Sequence, residues 1–341
     1  MRRRTFLKIT GAGLAGSASY TTSASGSTSP LGKIMTVRGP IDHTEAGIML
    51  PHEHIMSRFG AEISDDPVYD NRILNGRVRP YLEYLKGLGC GTVADCTTRY
   101  FGRDAGILRD MSEKSGLHLI ANTGYYGAAD DRYVPEHAYE EPPEKLARRW
   151  IEEFKNGIKG TGIRPGFIKI GIDPGPLSEI DAKLVRGAAI THLETGMVMA
   201  IHTGDNLEAV KQQFEILREE GVDPSAWIWV HAQNVKNIDA LAWAADQGAW
   251  IEFDGVSEKN AESHLQLVNQ MKKRGLLDRV LLSHDGNSYN AVGEKSVPKN
   301  YDFLFTIFIP ALETEGYPPE EIRTLVRENP QKAFKIKIRK I

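Results

Sequence analysis

The sequence predicts a (β/α)8 TIM barrel, and three observations carry the prediction. Eight short apolar runs alternate with longer segments of helical period from about residue 46 onward. Runs this continuously apolar indicate strands buried on both faces, as in a parallel sheet covered by helices. The intervening segments, such as "NLEAVKQQFEILREEG" (206–221) and "NIDALAWAADQG" (237–248), carry apolar residues at helical spacing and end in glycine. A length of 341 residues fits one large barrel with loop insertions.

In chain order the predicted strands are "GIML" (47–50), "GTVADC" (91–96), "LHLIANTG" (117–124), "GFIKIGI" (166–172), "MVMAIHTG" (197–204), "WIWVHA" (227–232), "AWIEFDG" (249–255) and "RVLLSHDG" (279–286). The connection from about 125 to 165 is longer than one helix requires, and segment 286–302 is polar and loop-like. Both leave strand carboxyl ends, the barrel face where active sites are built, so both are predicted lids. The tail "PPEEIRTLVRENPQKAFKI" (318–336) reads as a closing helical cap.

Residues 1–30 read as an export signal and a Ser/Thr-rich spacer, leaving 31–341 as a single TIM-barrel domain. "RRTFLK" (3–8), a weakly apolar stretch and the small residues "SAS" (23–25) have the order of a removable signal. The paired arginines place it with the twin-arginine type, which implies a periplasmic or extracellular protein. "GAGLAG" (11–16) fits a dinucleotide-binding pattern but lacks the strand before it and the helix after it, so that reading fails. The formal net charge is −3, and becomes −7 without the four positive charges Arg2, Arg3, Arg4 and Lys8. A mildly acidic body with no basic stripe argues against a nucleic-acid partner. No stretch is long and apolar enough to anchor the mature chain in a membrane. Cys90 and Cys96 flank one predicted strand, too far apart to bridge, and read as buried thiols.

Polar residues at the strand ends keep step with the βα repeat. "PHEH" places His52 and His54 two apart, and alternate residues of a strand share a face. Lys169 interrupts the fourth run, His202 ends the fifth, His231 the sixth and Asp285 the eighth. The spacings, 33 residues from Lys169 to His202 and 29 from His202 to His231, are those of strand–helix units. A lone histidine at a strand end is as readily a hydrogen-bonded core residue, and a lone aspartate a helix cap. Six such positions in phase converge on one pocket in a closed barrel. His43, His118, His137, His192 and His264 fall on loops, helices or strand starts, and His284 points away from Asp285; none is assigned to the site.

An inward lysine on an apolar strand is a costly buried charge. Burial of a lysine favours the neutral amine, which can combine with carbon dioxide to give a carbamate able to bridge two cations. The alternative is an ammonium paired with an acid such as Asp173.

With these residues in place, the chain resembles the phosphotriesterase family of the amidohydrolase superfamily. The resemblance runs from "MTVRGPIDHTEAGIMLPHEH" to "ENPQKAF" and includes "TRYFGRD" (98–104) and "NTGYY" (122–126). It implies a binuclear site at the carboxyl ends of the strands. His52, His54 and Asp285 would bind one metal, His202 and His231 the other, and carbamylated Lys169 would bridge them. It further implies two divalent ions, zinc by default with Mn, Fe or Co admissible, a water activated between them, and Asp285 as the catalytic proton acceptor. Family members often pair as homodimers. No G-x-S-x-G is present, so no serine nucleophile is expected.

Such a site attacks lactones, carboxylic esters and phosphotriesters alike, and the loops decide among them. "HAQN" and "EFDGVSEKN" depart from the better-known members, the latter in lacking an arginine. Tyr125, Glu258, Lys259 and Tyr289 are the residues expected to line the pocket. The leading expectation is a lactone or carboxylic ester as the small-molecule substrate, with an organophosphate triester second. A binding barrel without catalysis is less consistent with six chemically competent side chains, and a mononuclear deaminase leaves Lys169 without a task.

Overall fold

In a computed structural model, residues 30–292 and 299–341 are described. Eight parallel strands alternate with helices in the predicted order. The strands are β1 (Ile48–His54), β2 (Cys90–Asp95), β3 (His118–Ile120 and Asn122–Thr123), β4 (Phe167–Gly171), β5 (Val198–His202), β6 (Trp227–Val230), β7 (Trp250–Phe253) and β8 (Val280–Leu282 and Gly286–Asn287). The covering helical segments are α1 (71–87), α2 (Ala105–Ser115), α3 (Pro143–Asn156), α4 (Glu179–Thr195), α5 (Leu207–Glu219), α6 (Ile238–Asp246), α7 (Ala261–Lys273) and α8 (304–314). The export-signal reading falls on residues outside those described, as does part of the second predicted lid, 293–298.

Two strands differ from their predicted forms, and both differences close the barrel. β3 is interrupted at Ala121: its first half pairs with β2 and its second with β4. β8 is interrupted at 283–285: its first half pairs with β7, and Gly286 and Asn287 pair with Glu53 and His54 of β1. Each interruption lets one strand serve two neighbours that the barrel's curvature carries apart. β1 is longer than "GIML" and runs through the His-x-His to His54.

Local sequence explains the helices. The Asp104 side chain caps α2 by accepting from Ile107 N at 2.9 Å, and Gly116 ends the helix in a left-handed conformation (φ 75°). Ser178 and Asp181 form a reciprocal capping box at the start of α4. In α5 the buried residues Ala209, Val210, Gln213, Ile216 and Leu217 fall on one stripe.

Two apolar layers result. The barrel interior holds Met49, Ala94, Ile120, Phe167, Val198, Ala200, Ile228, Val230, Trp250 and Leu281, while the outward residues meet the helices. The amino-terminal end is stopped by Ile34, from a hairpin of Ile34–Thr36 with Gly39–Ile41, and by Phe334. Phe334 packs edge-on against Phe167 with ring centroids 5.2 Å apart, so the 318–336 tail does close that end. Burying a side chain of this size contributes about 2–3 kcal/mol. With the amino end filled, the strands' carboxyl ends are left to form a cavity.

His192 of α4 is buried, its Nδ1 2.7 Å from Met197 O while Nε2 accepts from Arg339 N at 2.9 Å. Burial pushes this imidazole down to about 4. The unfolded chain then binds a proton near pH 6.5 that the native state refuses, so stability falls as pH drops from 7 towards 4. The loss between pH 7 and 5 should be about 2 kcal/mol. In urea denaturation, His192→Gln should flatten the acid slope by that amount; an unchanged slope would contradict the assignment.

Candidate active site

His52 and His54 project from the carboxyl end of β1, and the rings are fixed from behind. His52 Nδ1 lies 2.7 Å from Glu252 Oε1, and His54 Nδ1 lies 2.8 Å from Thr97 Oγ1. Thr97 gives its own proton to Met56 O, so its oxygen must accept from His54. In each ring Nδ1 is therefore the donor, and Nε2 faces the cavity. The two Nε2 atoms lie 3.5 and 3.3 Å from Asp285 Oδ1.

Across the cavity, His231 Nδ1 sits 2.6 Å from Asp254 Oδ1, which leaves its Nε2 facing His202 Nδ1 at 2.8 Å. Asp254 also accepts from His231 N and Gln233 Nε2 and lies 3.4 Å from His52 Nδ1. His52, His231 and Asp254 thus cluster through hydrogen bonds that orient rings, whereas His52, His54 and Asp285 turn electron pairs on one point. Tyr126 Oη lies 3.1 Å from His202 Nδ1.

The electrostatics suit metal binding. Burial, then the charges of His231 and Lys169, hold His202 well below the usual imidazole range, and burial lowers His54 despite Asp285. Burial alone would raise Asp285 and Asp254, but the histidines beside them outweigh it and hold both carboxyls low. Neutral imidazoles and ionised carboxylates at neutral pH are the forms that ligate a divalent cation. Donor type and inward direction fit a pair of metals. In protonation His52 is the exception: against the effect of burial, Cys96, Glu252 and Asp254 hold its imidazole well above the usual range, and a cation would have to displace that proton.

Two of these residues adopt a backbone conformation that side chains disfavour: His231 has φ 62° and Asp285 φ 50°. What holds Asp285 there is Glu53, fully buried on the opposite face of β1 from the two histidines. Its Oε1 accepts from Ser283 Oγ, His284 N and His284 Nδ1 at 2.7–3.0 Å, and its Oε2 from Gly286 N at 2.7 Å. These bonds span the interruption of β8 that contains Asp285.

Lys169 is 1% exposed. Its polar contact is with Ile170 O at 3.5 Å, and its Nζ lies 5.6 Å from the centre of the Tyr126 ring. Asp173, the alternative partner, instead accepts from Asp130 N. Among the described residues no carboxylate pairs with this amine.

All six strand-end residues line one cavity of ≈ 410 Å³, together with Phe59, Phe101, Tyr126, Asn287, Asn290 and Lys299. The four residues expected to line it do not. Tyr125 is buried in the strand–helix layer, with its ring against Trp150 and its hydroxyl 3.1 Å from His137 Nε2. Tyr126, one residue on, takes the position expected of it. Glu258 and Lys259 are exposed on the turn after β7. Tyr289 packs behind the wall against Tyr69 and Arg77. The first predicted lid contributes Tyr126 and Tyr133, whose rings stack and tilt against Phe101, while α3 within it packs against α4. Glu252 and Asp254, not singled out from the sequence, alternate on β7 as His52 and His54 do on β1, and the same period-two rule identifies them. The remaining histidines lie outside the cavity, and both cysteines are free and buried.

A sequence profile described as the phosphotriesterase family matches residues 32–334. Among curated proteins, the chain is 31% identical to an Escherichia coli phosphotriesterase homology protein, over 72% of this chain and 84% of that one. It is 28% identical to an aryldialkylphosphatase of Saccharolobus solfataricus, over 86% of this chain and 96% of the relative. An organophosphorus hydrolase from Deinococcus radiodurans superposes with a TM-score of 0.80 at 23% identity, covering 89% of this chain and 96% of the other.

Glu53→Ala strands four donors, three of them buried main-chain or imidazole groups, and should cost about 3 kcal/mol in chemical denaturation. Asp254→Ala frees the His231 ring, and titration against a chromophoric chelator should show metal affinity reduced by roughly 10–100-fold.

Proposed function

Because the chain belongs to the phosphotriesterase family of metal-dependent, ester-hydrolysing enzymes, we propose that it hydrolyses a lactone or carboxylic ester. The observation that carries this reading is the shape of the cavity beside the histidines. Phe59, Phe101 and Tyr126 form one aromatic wall, and Asn287, Asn290 and Lys299 form a polar one. A planar acyl group or a lactone ring lies against one apolar wall with its oxygens towards the polar side. A phosphotriester projects three organic arms from a tetrahedral centre and needs three accommodating surfaces. The relative named aryldialkylphosphatase favours a second reading, a phosphotriesterase.

His52, His54 and Asp285 would hold one cation and His202 and His231 the other, with zinc the default and Mn, Fe or Co admissible. Lys169 would lie between them as a carbamate, formed when its neutral amine adds carbon dioxide and releases one proton. Its unpaired burial supports that reading. When bound, the cations supply Lewis-acid polarisation of the scissile group and a water acidified to near neutral pH.

The chain's own residues do the rest. Asp285 has its Oδ1 towards His52 and His54, and being held ionised it can take the proton from the attacking water and deliver it to the leaving oxygen. Burial raises the Tyr126 phenol, so it remains a hydrogen-bond donor beside His202, placed to steady the substrate's oxygen. The ring pair Phe101–Tyr126, stacked at 5.4 Å, limits water on that side. The twin-arginine-type leader supports export of the folded enzyme.

Enzyme reconstituted with zinc and bicarbonate, assayed on aryl esters, γ- and δ-lactones and paraoxon-like triesters, should favour an ester or lactone by about tenfold or more in kcat/KM. Preferential triester turnover would overturn the choice. Lys169→Ala should bind fewer than two ions per chain by metal analysis and lose activity by a factor on the order of 100. Wild-type stoichiometry and turnover in that variant would refute the bridging role.

A further inference from the structure

Lys299 stands apart from the other polar groups of the cavity. Its main chain is clamped to Asn287 by two hydrogen bonds, Lys299 N to Asn287 O and Asn287 N to Lys299 O, each 2.8 Å. Asn287 is itself paired with His54 of β1, so the lysine is tied to the strand that carries the first two histidines. The side chain is 55% exposed and reaches into the cavity, with Nζ 3.2 Å from Asp285 Oδ2.

The neighbouring amides are uncharged, and each already has one donor and one acceptor bond. Asn287 donates to Ser57 Oγ and accepts from Tyr289 N, while Asn290 donates to Phe59 O and accepts from Val292 N. Lys169, the other lysine of the lining, is 1% exposed. An ammonium has three donors, and among the described residues Lys299 has one side-chain partner. That partner, Asp285, shares its charge with whatever cation it holds. Among the described residues, Lys299 is therefore the exposed positive charge of the cavity lining, standing beside Asp285.

We propose that Lys299 is a specificity-determining residue that selects esters or lactones bearing a second, anionic carboxylate. The inference rests on the hydrolase reading and narrows it to a substrate class. The apolar part of such a substrate lies along Phe59, Phe101 and Tyr126, and its carboxylate accepts from Lys299 as a charge-assisted hydrogen bond.

Two 4-nitrophenyl esters of equal chain length, the butyrate and the hemisuccinate, differ by the terminal carboxylate. Metal-loaded wild type should prefer the hemisuccinate, and the preference should weaken as salt is raised. In Lys299→Met the ratio of kcat/KM, hemisuccinate to butyrate, should fall about tenfold, and Lys299→Arg should retain most of it. Calorimetric binding of succinate and butyrate supplies a readout independent of turnover, and the ratio of their Kd values should collapse in the methionine variant. Unchanged ratios in Lys299→Met, at equal metal content, would overturn the proposal. Absence of turnover of every carboxylic ester by wild type would sink the ester-or-lactone reading instead, and the binding ratios would still decide the role of Lys299.

Discussion

Glu53 joins the two strands whose ends supply half of the site. A carboxylate with no exposure must find donors for its oxygens or suffer a desolvation cost of several kcal/mol. Here all the donors come from the interruption of β8: a hydroxyl, an imidazole and two main-chain N–H groups. A regular strand would have satisfied those N–H groups through its ladder and pointed residue 285 by simple alternation. The interruption releases the main chain, and Glu53 re-satisfies it. In exchange Asp285 can take up a left-handed backbone and turn Oδ1 towards both histidines of β1. Barrel closure and site assembly are thus one event, made by a residue that never faces the cavity.

The same logic governs the rings. A histidine at a strand end has two nitrogens and free rotation about two bonds, so its position alone does not make a metal site. Glu252, Thr97 and Asp254 each occupy one Nδ1 and leave Nε2 inward. His202 is the exception, presenting Nδ1 inward, where Tyr126 and His231 meet it. Three of the four histidines are consequently set by groups buried behind them, which keeps the reorganisation on metal binding small. Glu252 on β7 and Asp254 just past its end both reach His52, and burial raises the first while the histidines lower the second. That split suits a pair of acids in contact with one imidazole, since two ionised carboxylates there would repel.

Much of this was legible in the sequence, and the exceptions have physical causes. Strand order, the closing tail and the inward six follow from period and spacing, because burial on both faces leaves little freedom in which residues point in. The shift from Tyr125 to Tyr126 arises where β3 ends: Gly124 has φ 122°, which breaks the alternation so that counting along the strand selects the wrong neighbour. Gly124 is required there, since a Cβ would meet Lys169 O at 2.1 Å. Glu258, Lys259 and Tyr289 sit in irregular segments, where no period relates sequence position to direction. Glu53 carried a signal of its own. An acid between two inward histidines must point outward into the apolar strand–helix layer, and a buried acid there requires partners.

Lys169 shows how far composition of the surroundings can determine a residue's chemistry. On β4 it follows Phe167 by two and occupies the layer directly above the apolar interior. Beside it the strands are hydrogen-bonded to one another, and Asp173 accepts from Asp130 N on the outer loop. Its amine lines the same cavity as the β1 histidines, His202 and His231. A positive charge placed there would oppose the cations that those electron pairs are arranged to receive. The carbamate proposed for Lys169 would reverse the sign at that point and remove the conflict. Burial of Lys169 without a carboxylate partner among the described residues, and the two ligand sets around it, therefore support that proposal from two sides, the floor of the cavity and its walls.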